Sequence, residues 1–152
     1  MTLSQKETTL LNDLKGQEQI CIEKYRKYEE QAHDPALKEI FSSLRTTEEG
    51  HLSTICRILN GEEVTMSSSS PKAAAQKYNG TPSSVDEEKK KQDAFLCKDA
   101  LSMEKHVSSV YDTAIFEFCS PVLRDTLAHI QKEEQDHGEK LYSYMSASGM
   151  YQ

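Results

Sequence analysis

Residues 46–55 read TTEEGHLSTI and residues 132–141 read KEEQDHGEKL, so Glu48 stands three before His51 and Glu134 three before His137. Three positions is close to one helical turn, which puts each pair on one face of a helix. A single Glu-x-x-His arises easily by chance. Two of them related by one shift of 86 positions (48 to 134, 51 to 137) invite a wider comparison. The same shift aligns Leu10 with Leu96, Asp13 with Asp99, Glu18 with Glu104, Tyr25 with Tyr111, Pro35 with Pro121 and Leu37 with Leu123. The chain therefore reads as two copies of one unit.

Each copy reads as a helical hairpin. SQKE at Ser4–Glu7 and SVDE at Ser84–Glu87 have the form of capping boxes. Asp34–Pro35 and Ser120–Pro121 have the form of an N-cap followed by proline at the first helical position. Asn60–Gly61 and Gly149 read as helix stops. The spacing predicts helices over about 5–33, 35–60, 85–118 and 121–147, with strand signals nearly absent. The expectation is an all-α four-helix bundle forming a single domain over residues 1–152. Hairpin 1 covers about 5–60 and hairpin 2 about 85–147. Between them, about 61–84, lies GEEVTMSSSSPKAAAQKYNGTPSS. An up-down-up-down bundle needs only a few residues there, so a long crossover is favoured over a plain linker. KAAAQKY is a candidate short helix within it.

Stepping by three and four along each predicted helix gives four core seams. Helix 1 presents Leu11, Leu14, Glu18, Cys21, Tyr25, Tyr28 and Ala32; helix 2 presents Leu37, Phe41, Leu44, Glu48, His51, Ile55 and Ile58. Helix 3 presents Cys97, Ala100, Glu104, Val107, Tyr111, Ala114 and Phe118. Helix 4 presents Leu123, Leu127, Ile130, Glu134, His137, Leu141 and Tyr144. Every seam is apolar except near its middle, where all four carry a glutamate. Glu18 lies roughly 24 Å from the turn at Asp34, while Glu48 and His51 lie roughly 21 and 25 Å beyond it, at 1.5 Å per residue. Glu104, Glu134 and His137 stand at the same offsets from Ser120. Four carboxylates and two imidazoles should therefore converge in one slice of the interior.

Buried carboxylates without partners cost several kcal/mol each, against a total stability of about 5–15 kcal/mol. No lysine or arginine falls on a seam to neutralise them. A pair of divalent cations would, and mixed oxygen and imidazole ligation suits iron or manganese. The ligand set does not choose between the two. His33, His106 and His129 fall off the seams and are expected at the surface.

The rest of the composition excludes more than it selects. A net charge of −7 argues against nucleic acid or an anionic membrane as partner. No apolar run is long enough to cross a bilayer, and the opening MTLSQKETTLLNDLKG lacks the apolar block of a signal peptide, so a cytoplasmic location is the expectation. Cys21, Cys56, Cys97 and Cys119 form no CxxC pair and are expected to be free thiols, mostly packed inside.

With these residues in place, the chain resembles the ferritin-like superfamily of di-iron carboxylate proteins. Its members carry one glutamate on each of two helices and Glu-x-x-His on the other two. The resemblance covers nearly everything outside the central connection. It implies that Glu18, Glu48 and His51 serve mainly one metal, and Glu104, Glu134 and His137 the other, with Glu48 and Glu134 bridging. Tyr25 and Tyr111, seven residues after their glutamates, stand where many members place a tyrosine near the metals; a plain core role fits each equally. Rubrerythrin-type and spore-coat (coat F-like) domains are the nearest forms, and FLCKDALSMEKHVSSVYDTAIFEFCSPVLRDTLAHIQKEEQDHGEKLYSYMSASGMY reads much like a coat F-type segment. The chain has no rubredoxin-type CxxC pairs, so the resemblance implies that any electron donor is a separate protein. It ends at SGMYQ without the fifth helix of the ferritin cage, which implies a homodimer rather than a large shell.

The activity implied is that of a non-haem di-iron oxidoreductase, reducing peroxide or oxidising ferrous iron with dioxygen or peroxide. A different class stays open beside it: a spore-coat-like structural protein whose metal only braces the bundle, located in the coat. A manganese catalase-like enzyme is a third.

Overall fold

The two tight turns are set by a capping side chain followed by proline. Asp34 accepts a hydrogen bond from the Ala36 N–H at 2.9 Å and Ser120 one from the Leu123 N–H at 3.3 Å, with Pro35 and Pro121 opening the helices that follow. Proline is at no disadvantage there, because the N–H it lacks would have no intrahelical partner. The computed structural model describes residues 2–64 and 77–150. These form four helices, α1 (Gln5–Gln31), α2 (Pro35–Leu59), α3 (Glu87–Glu117) and α4 (Pro121–Ala147), with no strand among the described residues. The short helix considered at KAAAQKY falls, but for Lys77 and Tyr78, outside the described residues.

Helix ends follow the sequence signals with one correction. The box at Ser4–Glu7 forms, with the Glu7 N–H donating to Ser4 Oγ at 3.1 Å and the Ser4 N–H donating to Glu7 Oε2 at 2.8 Å. The box expected at Ser84–Glu87 does not. Asp86 caps α3 instead, accepting from the Lys89 N–H at 2.8 Å. An aspartate is at least as good a cap as serine, and it stands one residue before the helix starts. At the other ends, Gly61 (φ +80°) and Gly149 (φ +69°) turn the chain away through a conformation that needs no Cβ.

Every seam position named from the sequence is buried. Ile40, Leu96, Met103 and Met145 widen the stripes, and the apolar side chains of all four helices join one core. Each fully buried leucine, isoleucine or phenylalanine contributes roughly 1.5–3 kcal/mol. Those above and below the middle therefore hold the bundle around its charged slice.

Two buried carboxylates fix which way the hairpins face. Asp93, near the start of α3, accepts from the backbone N–H groups of His33 (2.8 Å) and Asp34 (3.0 Å) in the α1–α2 turn. Glu7, near the start of α1, accepts from the Cys119 N–H at 3.3 Å in the α3–α4 turn. The two are related by the same shift of 86, so each hairpin latches the other's turn. α1 therefore packs antiparallel on α3, and α2 lies beside α4. α2 ends at the opposite end of the bundle from the start of α3. Beyond the undescribed residues, the Tyr78 N–H donates to Ser143 Oγ at 2.9 Å and the Tyr78 ring packs on Tyr144, near the start of α3. The described residues that flank the connection therefore lie toward opposite ends of the bundle.

Candidate metal centre

Glu18 on α1, Glu48 and His51 on α2, Glu104 on α3, and Glu134 and His137 on α4 meet at mid-height, none more than 4% exposed. Register explains it. The latched turns hold the two hairpins level, and the three-residue spacing on α2 and α4 aims carboxylate and imidazole the same way.

The donor atoms fall into two overlapping groups. Glu18, Glu48, His51 and Glu134 form one; Glu48, Glu104, Glu134 and His137 form the other, and within each the donor atoms lie within 4.8 Å of one another. Both imidazoles turn Nδ1 inward. His51 Nδ1 is 2.9 Å from Glu134 Oε1, 3.5 Å from Glu48 Oε2 and 3.7 Å from Glu18 Oε1. His137 Nδ1 is 2.8 Å from Glu48 Oε1, 3.2 Å from Glu104 Oε1 and 3.5 Å from Glu134 Oε2. Glu48 and Glu134 each offer one oxygen to either side, while Glu18 and Glu104 each serve one side. The two rings lie 6.1 Å apart and nearly parallel.

Many of these atoms lack an ordinary partner. Glu18 Oε2, both oxygens of Glu48, Glu104 Oε2, Glu134 Oε2 and the Nε2 atoms of both histidines are buried with no hydrogen bond. That holds even for Glu48 Oε1, whose approach to His137 lacks hydrogen-bond geometry. Among the described residues no lysine or arginine forms an ion pair with any of the four carboxylates. Native interiors rarely leave so many polar atoms unsatisfied in one place.

The charges strain against one another accordingly. Burial, then the charge of Glu48, holds the Glu18 carboxyl well above its usual range. Burial, then Glu134, pushes Glu104 up to about 8. Burial and Glu104 would raise Glu48 too, but the close approach of Glu18 and of the two histidines outweighs them and brings it down to about 2. Burial alone would favour neutral rings at His51 and His137, yet the surrounding carboxylates hold both well above the ordinary histidine range. Left to itself, the cluster shares protons to limit its negative charge.

Tyr25 and Tyr111 cross the bundle to each other's glutamate. The Tyr111 hydroxyl donates to Glu18 Oε1 at 2.6 Å, and the Tyr25 hydroxyl donates to Glu104 Oε1. Burial and the nearby carboxylates push both phenols well up, so both stay protonated donors. They stand beside the cluster rather than among its donor atoms. Cys21, one turn from Glu18, is also buried; burial and then the carboxylates push its thiol up, which leaves it an uncharged filler.

Some features were not foreseen. Glu133 and His129 on α4 add an outer layer to one side, with Glu133 Oε1 3.5 Å from His51 Nε2 and 3.0 Å from His129 Nε2. The only signal in the sequence was the doubled glutamate at 133–134. His129 is half-buried rather than a plain surface residue, and so is His33; His106 is exposed as expected. All four cysteines are free, but only Cys21 and Cys97 are buried, and Cys119 is exposed.

Comparison with known proteins adds one finding. Residues 92–152, which take in nearly all of α3 and α4, match the Coat F domain family. No curated protein and no solved structure matches the chain.

Proposed function

We propose that this chain binds two divalent metal ions at the centre of its bundle. One sits against Glu18 and His51, the other against Glu104 and His137, and Glu48 and Glu134 are shared. The observation that carries this reading is the set of buried carboxylate oxygens without hydrogen-bond partners, gathered in two groups that overlap at two residues. Two divalent cations match the formal charge of four carboxylates. Oxygen-rich ligation with one imidazole on each side suits iron or manganese, and the reading takes iron.

A ferrous pair bound here would supply the two electrons that, with two protons, turn one peroxide into two waters, and a separate electron-transfer protein would return them. The chain's own part is positional. Glu18 and Glu104 are each anchored by a tyrosine hydroxyl, the shared carboxylates hold the two positions at a fixed separation, and the apolar seams above and below exclude water. Anaerobic titration with ferrous ion, followed by peroxide, tests this. The reading expects about two ions per chain, as its ligand pattern implies, and their oxidation by peroxide. Fewer than one ion per chain would refute it, and binding without oxidation would leave the metals a bracing role.

The Coat F match favours a second reading, in which the protein is a spore-coat component and the metals brace the bundle. Glu48→Ala combined with Glu134→Ala separates the two. A coat role survives as retained assembly into spores without metal, whereas an enzymatic role shows as lost peroxide consumption with assembly unchanged. A homodimer is the assembly proposed under either reading, measurable by sedimentation.

A further inference from the structure

The two sides of the centre share ligands but not surroundings. Behind His51 stands Glu133, with Oε1 3.5 Å from the ring's Nε2, and behind Glu133 stands His129 at 3.0 Å. The shift of 86 that pairs every proposed ligand pairs Glu133 with Thr47 and His129 with Ser43. Thr47 does not substitute for the carboxylate, because its hydroxyl donates back to the Ser43 carbonyl at 3.3 Å. Among the described residues no carboxylate lies within ion-pair distance of His137 Nε2, and that atom is buried without a hydrogen bond.

This asymmetry matters because a neutral imidazole has one lone pair and one N–H. A cation on Nδ1 commits the proton to Nε2. On the His51 side that N–H faces a carboxylate, and closing the 3.5 Å gap by a few tenths of an ångström makes it a charge-assisted hydrogen bond. Such a bond fixes the ring and makes its free nitrogen a stronger donor. On the His137 side the N–H is enclosed with nothing to accept it. Solvent reaches this outer layer, where the side chains of Glu133 and His129 are 20% and 32% exposed.

Resting on the dinuclear reading above, we infer that Glu133 is a positioning residue that makes the two metal positions unequal. The position at Glu18 and His51 binds more tightly and fills first. The position at Glu104 and His137 fills second. Outer partners of this kind change metal affinity by roughly 10–100-fold, which sets the separation expected between the two steps.

Cobalt(II) is a suitable probe, since its visible absorption reports coordination without turnover. Calorimetric titration of the whole chain should show two steps separated by roughly that factor. A crystal given half the saturating cobalt should show anomalous density against His51. Glu133→Thr, which copies the other half, should bring the two steps together and remove the distinct spectrum of the first equivalent, with total stoichiometry unchanged. Glu133→Gln keeps an acceptor and should restore part of the separation, and Thr47→Glu should tighten the second step. Two equal steps in the unmodified protein, or a separation that Glu133→Thr leaves intact, would overturn the inference while leaving the dinuclear reading standing. No cobalt bound at all would overturn both.

Discussion

Hairpin 1 and hairpin 2 agree at every proposed ligand and differ among many of the packing residues around them. Glu18, Tyr25, Glu48 and His51 recur unchanged as Glu104, Tyr111, Glu134 and His137. Beside them, Cys21 answers to Val107 and Tyr28 to Ala114; at the outer layer Thr47 answers to Glu133. Core packing needs only apolar volume, so it tolerates such exchanges. A buried cluster of charges does not, because a missing carboxylate or imidazole leaves its neighbours without compensation. The pattern of what repeats is what a shared central site would produce, while what differs tunes each half separately.

The largest test of that comparison removes what both halves share. Glu48→Gln with Glu134→Gln should abolish binding of both metals together, measured as metal per chain after dialysis. A variant that keeps one metal tightly would show that the halves bind independently.

Chelation comes next. Removing two metals, each held at a thousandfold excess over its dissociation constant, forfeits about 4 kcal/mol per site, or roughly 16–32 °C in Tm in total for a chain of this size. Scanning calorimetry with and without chelator measures it. No shift would mean that the cluster is satisfied by protons alone.

A smaller and opposite-looking effect belongs to the metal-free protein as pH rises. Glu18 and Glu104 are held above the unfolded value of 4.5, so their contribution is fully present below it and is lost as pH climbs, through about 8 for Glu104. His51 and His137, held above 6.5, add a loss of the same sign, while Glu48 near 2 is already ionised throughout. Metal-free stability should therefore fall between pH 5 and pH 8, and denaturant melts across that range will show it. A rise would contradict the protonation described.

The least effect is expected at the ends. Asp93 holds two backbone N–H groups of the opposite turn and Glu7 holds one. Glu7 also accepts from the Ser4 N–H at its own helix start, so each carboxylate holds two backbone N–H groups in all. With charge-assisted bonds worth about 1.5–3 kcal/mol each, Asp93→Ala and Glu7→Ala should destabilise by similar amounts in urea melts, and a loss at only one of them would break the pairing of the two latches.

Much of this was legible before any coordinates. A glutamate on an apolar stripe is conspicuous because the helical period marks the stripe so clearly, and finding four at one level located the centre. Asp93 could have been found by the same shift that pairs it with Glu7, but its buried role depends on reaching a turn in the other hairpin. Glu133 lies one residue off its seam, so only the spacing between α2 and α4 reveals that it faces His51. The positions of Tyr25 and Tyr111 were readable, yet their exchange of partners across the bundle was not, since it is set by how α1 packs on α3. The coat F-like character of the second half showed in the sequence, and the family match over 92–152 agrees with it.

The most direct test is an anomalous difference map from a crystal of the chain loaded with iron or manganese. Two peaks about 3.5–4 Å apart are expected, one touching Glu18 and His51, the other Glu104 and His137, and both touching Glu48 and Glu134. A map with no peak inside the bundle, or with metal bound only at surface carboxylates, would contradict the account.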